Sequence, residues 1–198
     1  RGHAEKLCQE ITHSGFTRIV ACGGDGTVNE IINGIMRAQQ FPTDLAVGIV
    51  PSGRCNDLSY ALGIPGDRKL SIDVIKNGNV RNIDLGRAGQ RYFATIATLG
   101  FDSEVSEYVD RGKHPSFLRG TPAYLYAAVI KLYKFKNPTV TLRGEFGQFS
   151  GNIFLAATGN TNRYGGRVLI TPEADVEDGE FDVCLVKPTS KMEILRMI

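Results

Sequence analysis

The five residues Gly23-Gly24-Asp25-Gly26-Thr27 put three glycines, a carboxylate and a hydroxyl side by side. Glycines in such a run let the backbone take positive φ angles and come close to an anion with no Cβ in the way. Val28, Ile31, Ile32, Ile35 and Met36 follow at helical spacing, so the turn opens a helix near Val28 whose unpaired amides and dipole favour negative charge. Asp25 repels a bare phosphate, which points instead to a nucleotide carrying Mg²⁺. Thr27 and Asn29 add side-chain donors. The same stretch has a purely structural reading, with Thr27-Val28-Asn29-Glu30 as a capping box. Two other phosphate loops are excluded by spacing, because the turn has neither Gly-x-x-x-x-Gly-Lys-Ser/Thr nor Gly-x-Gly-x-x-Gly.

A second candidate loop, Pro51-Ser52-Gly53-Arg54-Cys55-Asn56-Asp57, leaves a strand expected over Leu45 to Val50. Ligands of open α/β sheets bind at the carboxyl ends of strands, so both loops face one crevice. Asn56 or Asp57 can be read as a cap for the short helix at Leu58. Asp57 can equally hold a metal-bound water or orient an attacking hydroxyl, since phosphoryl transfer needs positioning and charge neutralisation.

The elements that hold these loops alternate. Ala4, Leu7, Cys8 and Ile11 make a first helix, Thr17 to Cys22 a short, largely buried strand, and then come the turn, its helix, the second strand and the helix ended by Gly63 and Pro65. Such alternation implies a parallel sheet with helices on its faces. From about residue 80 short strands are expected at Val80–Leu85, Tyr92–Leu99, Thr139–Leu142, Asn152–Thr158 and Phe181–Val186, with one helix capped by Thr121 and burying Leu125, Ala128, Val129, Leu132 and Tyr133. The expected organisation is an α/β domain over 1–82 and a β-rich domain over 83–198, with the ligand in the cleft between them.

Composition sets the class. The 198 residues carry 42% hydrophobic and 22% charged residues and a net charge of +2, an ordinary globular balance with no field suited to nucleic acid. Four scattered cysteines fit a reducing compartment better than a disulfide framework or a zinc site. No apolar run approaches the roughly 18 residues of a membrane span. His3, His13 and His114 show no ligand or triad spacing.

With both loops in hand the sequence resembles the diacylglycerol kinase catalytic family, which includes bacterial soluble lipid kinases and sphingosine kinases. The matching elements are Gly23 to Glu30, Gly48 to Gly53 with Asn56-Asp57, and Ala61 to Pro65. They continue with Asn82 to Gly86, Leu99 to Asp102, Tyr164-Gly165-Gly166, Pro172 to Ala174 and Asp178-Gly179. The resemblance implies an α/β nucleotide-binding domain like that of NAD kinases, followed by a β-sandwich-like domain. It implies ATP phosphates on Gly23, Gly24, Asp25, Gly26, Thr27, Val28 and Asn29 and places Asp57 in an Asp–water–Mg²⁺ network, so that Asp25 and Asp57 are the catalytic candidates. A structural Mg²⁺ is implied at Asp175, Asp178 and Glu180, through the Asp178 carboxylate and backbone oxygens of the other two. Where the family has Thr after Pro-x-Gly this chain has Arg54, whose guanidinium can grip a phosphate. The family's first strand would precede Arg1 and its general base would follow Ile198.

The implied reaction is transfer of the ATP γ-phosphoryl group to a lipid hydroxyl, diacylglycerol first. A sphingoid base, NAD, or a nucleotide-binding module without catalysis are the alternatives. The lipid would be met at a membrane surface by a cytoplasmic protein in peripheral association, with homodimerisation left open. The segment Tyr108 to Tyr126 interleaves Arg111, Lys113 and Arg119 with Phe117, Leu118 and Tyr124. It reads either as a dock for anionic headgroups or as a solvated linker.

Overall fold

The computed structural model describes residues 2–11, 14–38, 44–166 and 168–197. Its elements run α1 (His3–Ile11), β1 (Arg18–Gly23), α2 (Asp25–Met36), β2 (Ala46–Pro51), α3 (Asp57–Ala61), α4 (Arg68–Asn77), β3 (Gly86–Ala88) and β4 (Arg91–Phe93). They continue with β5 (Ile96–Gly100), α5 (Phe101–Asp110), α6 (Thr121–Lys134), β6 (Thr139–Gly144), β7 (Gly147–Asn152), β8 (Leu155–Gly159), β9 (Arg163–Tyr164), β10 (Val168–Leu169), β11 (Asp182–Val186) and α7 (Lys191–Met197). Contacts divide the chain into two units, Arg1–Ala97 with Thr158–Asp182, and Thr98–Ala157 with Val183–Ile198.

In the first unit β1 and β2 pair in parallel, from Arg18 against Ala46 to Gly23 against Pro51, so the two candidate loops leave adjacent strands at the same end. β1 is less buried than its sequence suggests: Ile19 and Ala21 point into the core, whereas Arg18, Val20 and Cys22 are exposed. Val28, Ile31, Ile32 and Ile35 of α2 pack with them, together with Cys8, Ile49, Leu58, Ala94 and Val176. α4 was not anticipated. Its start is capped by Asp67, whose carboxylate accepts from the Lys69 and Leu70 amides, and Gly48 lets Ile75 lie against β2, since a Cβ there would sit 2.9 Å from the Ile75 side chain. The stretch expected as a strand at Val80–Leu85 has no regular structure. It is tied down by the Asp84 amide, which donates to Val176 O at 2.7 Å.

The second unit contains an unanticipated helix, α5, which packs on α6. β6 and β7 form an antiparallel hairpin, and β8 lies between β11 and β5 in a three-stranded sheet. The core gathers Phe101, Val105, Ala127, Leu132 and Ile194, with Phe101 stacked on Phe154 at 4.8 Å between ring centres. α6 corrects two expectations. Gly120 rather than Thr121 occupies its cap position, without a side-chain hydrogen bond. Its buried residues are Ala123, Ala127 and Leu132, while Leu125, Val129 and Tyr133 are exposed. Small alanines permit the close approach to α5, so Ala123 and Ala127 join Leu132 in the packed stripe in place of Leu125, Val129 and Tyr133.

Candidate active site

The glycine-rich turn is tighter than expected. α2 begins at Asp25, not Val28, and Gly24 precedes it in an extended conformation with φ −97° and ψ −171°. None of Gly23, Gly24 and Gly26 has a positive φ. Two of these glycines are required by close approach instead. A Cβ on Gly23 would stand 2.5 Å from Thr27 Oγ1, and one on Gly24 would stand 2.8 Å from Gly53 Cα. Gly26 faces open space, with nothing within 4 Å of a Cβ built there. The Thr27 and Val28 amides both donate to Gly24 O. Those of Asp25 and Gly26, first in the helix, stay outside the helical ladder and supply the anion-binding donors of a helix start.

The second loop is fastened to the first. Gly53 approaches Gly24 so closely that a Cβ on it would lie 2.4 Å from Gly24 Cα. The Ser52 amide donates to Gly23 O at 2.9 Å. Asn56 closes the loop on itself from a left-handed conformation, φ 54° and ψ 44°, accepting from the Gly53 amide at 2.9 Å and donating to its carbonyl at 3.1 Å. It therefore does not cap α3. Asp25 does, since its Oδ1 accepts from the Leu58 amide at 3.3 Å.

Asp57 is 6% exposed, and its Oδ1 accepts from the Gly166 amide at 2.9 Å. Burial, and then the charge of Asp25, push its pKa above the ordinary aspartate value, against the pull of the Gly166 and Gly165 amides and of Arg163. Burial, Asp57 and Asp25 likewise push the Cys55 thiol up, while Arg54 opposes them from an exposed position. A buried carboxylate that feels a second one is an oxygen donor set short of positive charge, the setting a hard divalent cation fits. A cavity of about 20 Å³ bordered by Asp25, Asn29 and Thr95 is room for a water there. The larger cavity of the first unit, about 370 Å³, shares Val28, Ile32 and Leu58 with it and extends among apolar residues such as Val47 and Val74. Its lining has no acid, so chemistry is assigned to the carboxylates and not to the bigger space.

The capping-box reading of Thr27 to Glu30 fails. Glu30 turns to α1, where its two carboxylate oxygens accept from the Gly2 amide at 2.8 Å and the Ala4 amide at 3.2 Å. Asn29 accepts from Asn33 Nδ2 through its side chain at 3.1 Å. Fully buried Asn33 in turn pairs with the Tyr92 backbone, donating at 2.8 Å and accepting at 2.9 Å. That pairing locks α2 to β4, and a polar residue inside an apolar helix face was its only sequence signal.

Asp175, Asp178 and Glu180 lie on an exposed turn. Asp175 accepts from the Glu177 amide at 3.1 Å and Asp178 from the Glu180 amide at 2.9 Å. Asp84, which the sequence offers within the element Asn82 to Gly86 but without a role, joins them by accepting from the Gly179 amide at 2.7 Å. Arg81 and Glu177 form a two-point ion pair across the base of the turn. Among the described residues no three His, Cys, Asp or Glu side chains converge as a metal cluster, so a cation at this turn would depend on backbone oxygens. His3 is exposed, the His114 ring contacts Pro115 O, and His13 lies outside the described residues.

Two family models match the chain. Residues 1–88 match the diacylglycerol kinase catalytic domain, and residues 95–198 match the YegS C-terminal NAD kinase beta sandwich-like domain. The chain is 33% identical over 200 residues to a diacylglycerol kinase of Bacillus subtilis, covering 99% of this chain and 63% of that protein. It is 31% identical over 193 residues to a diacylglycerol kinase of Staphylococcus aureus, covering 98% and 60%. The crystal structure of a diacylglycerol kinase from Bacillus anthracis superposes with a TM-score of 0.71 at 28% identity, over 98% of this chain and 62% of that one. The chain thus spans a little over three fifths of the length of these relatives.

Proposed function

The chain belongs to the diacylglycerol kinase catalytic family, and from that premise we propose that it carries the nucleotide site of an ATP-dependent lipid kinase whose acceptor is diacylglycerol. One observation bears most of the weight: Asp25, at the N-terminus of α2 where free amides await an anion, lays its charge on buried Asp57. Asp25 and Asp57 would hold Mg²⁺, and the turn from Gly23 to Asn29 would bind the phosphates with Arg54 beside it. Bound there, Mg²⁺ would neutralise phosphoryl oxygens. The residues of the chain do the positioning. Gly24 and Gly53 hold the loops in contact, Asp25 sets the start of α3, and the Gly165-Gly166 amides fix the carboxylate of Asp57. Asp175, Asp178 and Glu180 are proposed to hold a second, structural Mg²⁺ within the turn braced by Asp84.

The second unit supports a lipid acceptor. From Arg111 to Lys136 there are six basic residues and no acidic one. In the same stretch Phe117 and Tyr133 are 81% and 78% exposed, and Leu125, Val129 and Ile130 are also exposed. Exposed apolar side chains amid an excess of positive charge suit the interface of an anionic membrane. Arg111 and Lys131 are partly offset by Glu107 and Glu104, which leaves Lys113, Arg119, Lys134 and Lys136 for headgroups. No helix among the described residues is long and apolar enough to cross a membrane. Four free cysteines fit action at the cytoplasmic face.

The test is to incubate the full-length protein with labelled ATP, Mg²⁺ and diacylglycerol in mixed micelles, with sphingoid base and NAD as competing acceptors. Labelled phosphatidic acid is expected. ATP binding without any labelled lipid would overturn the proposal.

A further inference from the structure

The described residues contain three buried side-chain polar atoms without a hydrogen-bond partner: Asn160 Oδ1, Asn162 Oδ1 and Arg163 Nε. All three fall within four consecutive residues, immediately before the Gly165-Gly166 turn that holds Asp57. Buried polar groups are nearly always paired, so a concentration of exceptions singles this segment out.

The surrounding bonds leave the stretch little freedom to satisfy itself. Asn160 Nδ2 already donates to Asp84 O at 2.8 Å and Ala94 O at 3.0 Å, so turning the amide over would set its oxygen against two carbonyls. The Arg163 carbonyl accepts from Thr161 Oγ1 at 3.2 Å, and its backbone pairs with Leu169 between β9 and β10. The guanidinium carbon lies 3.5 Å from the centre of the Tyr60 ring. Arg163 is therefore held from both ends, yet among the described residues its guanidinium makes no ion pair or hydrogen bond. Guanidinium groups prefer to use their rigid fork on carboxylates or phosphates. This one is spent on neither, although it is near enough to Asp57 to favour its ionised form.

We infer that Arg163 is a phosphate-binding residue of this site, positioned by Tyr60 to grip phosphoryl oxygens of the nucleotide beside Asp57. The glycine-rich turn has no basic residue of its own. A polyphosphate placed against two carboxylates needs fixed positive charge in addition to any cation, and Arg163 supplies it from a segment more than 100 residues away in sequence. The inference rests on the nucleotide site proposed above, though not on the identity of the acceptor.

The experiment measures equilibrium binding to the full-length protein without lipid, using the β,γ-imido analogue of ATP and, separately, adenosine. Arg163→Met keeps the aliphatic stem against Tyr60 and is expected to weaken the triphosphate at least tenfold while leaving adenosine unchanged. Arg163→Lys should recover only part of the loss, because a point charge replaces the fork. If Arg163→Met does not fold, Arg163→Lys carries the test alone, with a several-fold loss for the triphosphate only. Equal losses for triphosphate and adenosine, or no loss for either, would overturn the inference. Wild-type protein that binds the triphosphate but labels no lipid would remove the kinase proposal and leave Arg163 standing. Wild-type protein that binds no triphosphate would overturn both.

Discussion

Gly26→Ala separates the structural role of the glycine-rich turn from its role toward a ligand. Gly26 lies in the first turn of α2 without a positive φ, and a Cβ built on it meets nothing within 4 Å. The protein therefore has no steric reason for glycine at this position. Alanine in a helix is favoured over glycine by roughly 0.5–1 kcal/mol, and the lower figure applies at a helix start. For a chain of this size that corresponds to a melting temperature about 1–2 °C higher. A methyl group in the open space before the Asp25 and Gly26 amides would instead keep a phosphate from its donors. A tenfold loss of ATP affinity, about 1.4 kcal/mol, is the least expected. Thermal melting without nucleotide, paired with calorimetric titration of ATP, reads both quantities on one preparation. A variant that melts higher and binds ATP like the wild type would show that the turn does not bind phosphate through these amides.

Gly53→Ala should behave in the opposite way. The new Cβ would lie 2.4 Å from Gly24 Cα, so melting should reveal a loss of about 1–3 kcal/mol from overpacking, and unchanged stability would refute the fastening of the two loops. For Asp57 the sign follows from its raised pKa. Its ionisation is penalised in the folded state, so the cost is absent below the ordinary aspartate value near 3.8 and appears as pH rises through the raised value. Asp57→Asn should thus melt higher than wild type at pH 7 and converge with it toward pH 4 while losing transfer; a variant less stable at pH 7 contradicts the assignment. Replacing Leu125 and Val129 by Ser should leave stability within about 0.5 kcal/mol, since both are exposed. Sedimentation with anionic vesicles should fall at least tenfold, and undiminished binding would place the membrane contact elsewhere.

What the sequence disclosed follows from the range of the interactions involved. α2 was legible because its apolar residues occupy one face and the other face is polar. α6 misled because Thr121 to Lys134 is apolar nearly all round. Periodicity cannot choose between an alanine stripe and a larger one when both are present. α4 was missed because its apolar residues make no buried stripe: Ser71 is its only buried residue, and Leu70, Ile72 and Val74 are all exposed. In the site, Asp25 and Asp57 stood out because glycines, Pro51 and Asn56 punctuate the loops around them. Arg163 and Asp84 did not, because their meaning depends on Tyr60, Asp57 and Gly179, each roughly 95 to 110 residues away along the chain.

The two tasks of Asp25 bring these scales together. Its carboxylate accepts from the Leu58 amide and, one residue away from that bond, raises the pKa of Asp57. The bond that starts α3 therefore also sets the charge pair in place, and no separate device is needed to bring the acids together. The tasks can be parted because an amide oxygen still accepts a hydrogen bond. Asp25→Asn should keep the cap and the melting temperature while abolishing transfer, as the charge is gone but the geometry stays. Asp25→Ala should lose both, with a stability cost of about 0.5–1 kcal/mol, since 3.3 Å is a long capping bond. Measured side by side by melting and by labelled-lipid formation, the pair distinguishes charge from shape. Near-normal turnover by Asp25→Asn would leave Asp25 as a cap alone and return the chemistry to Asp57.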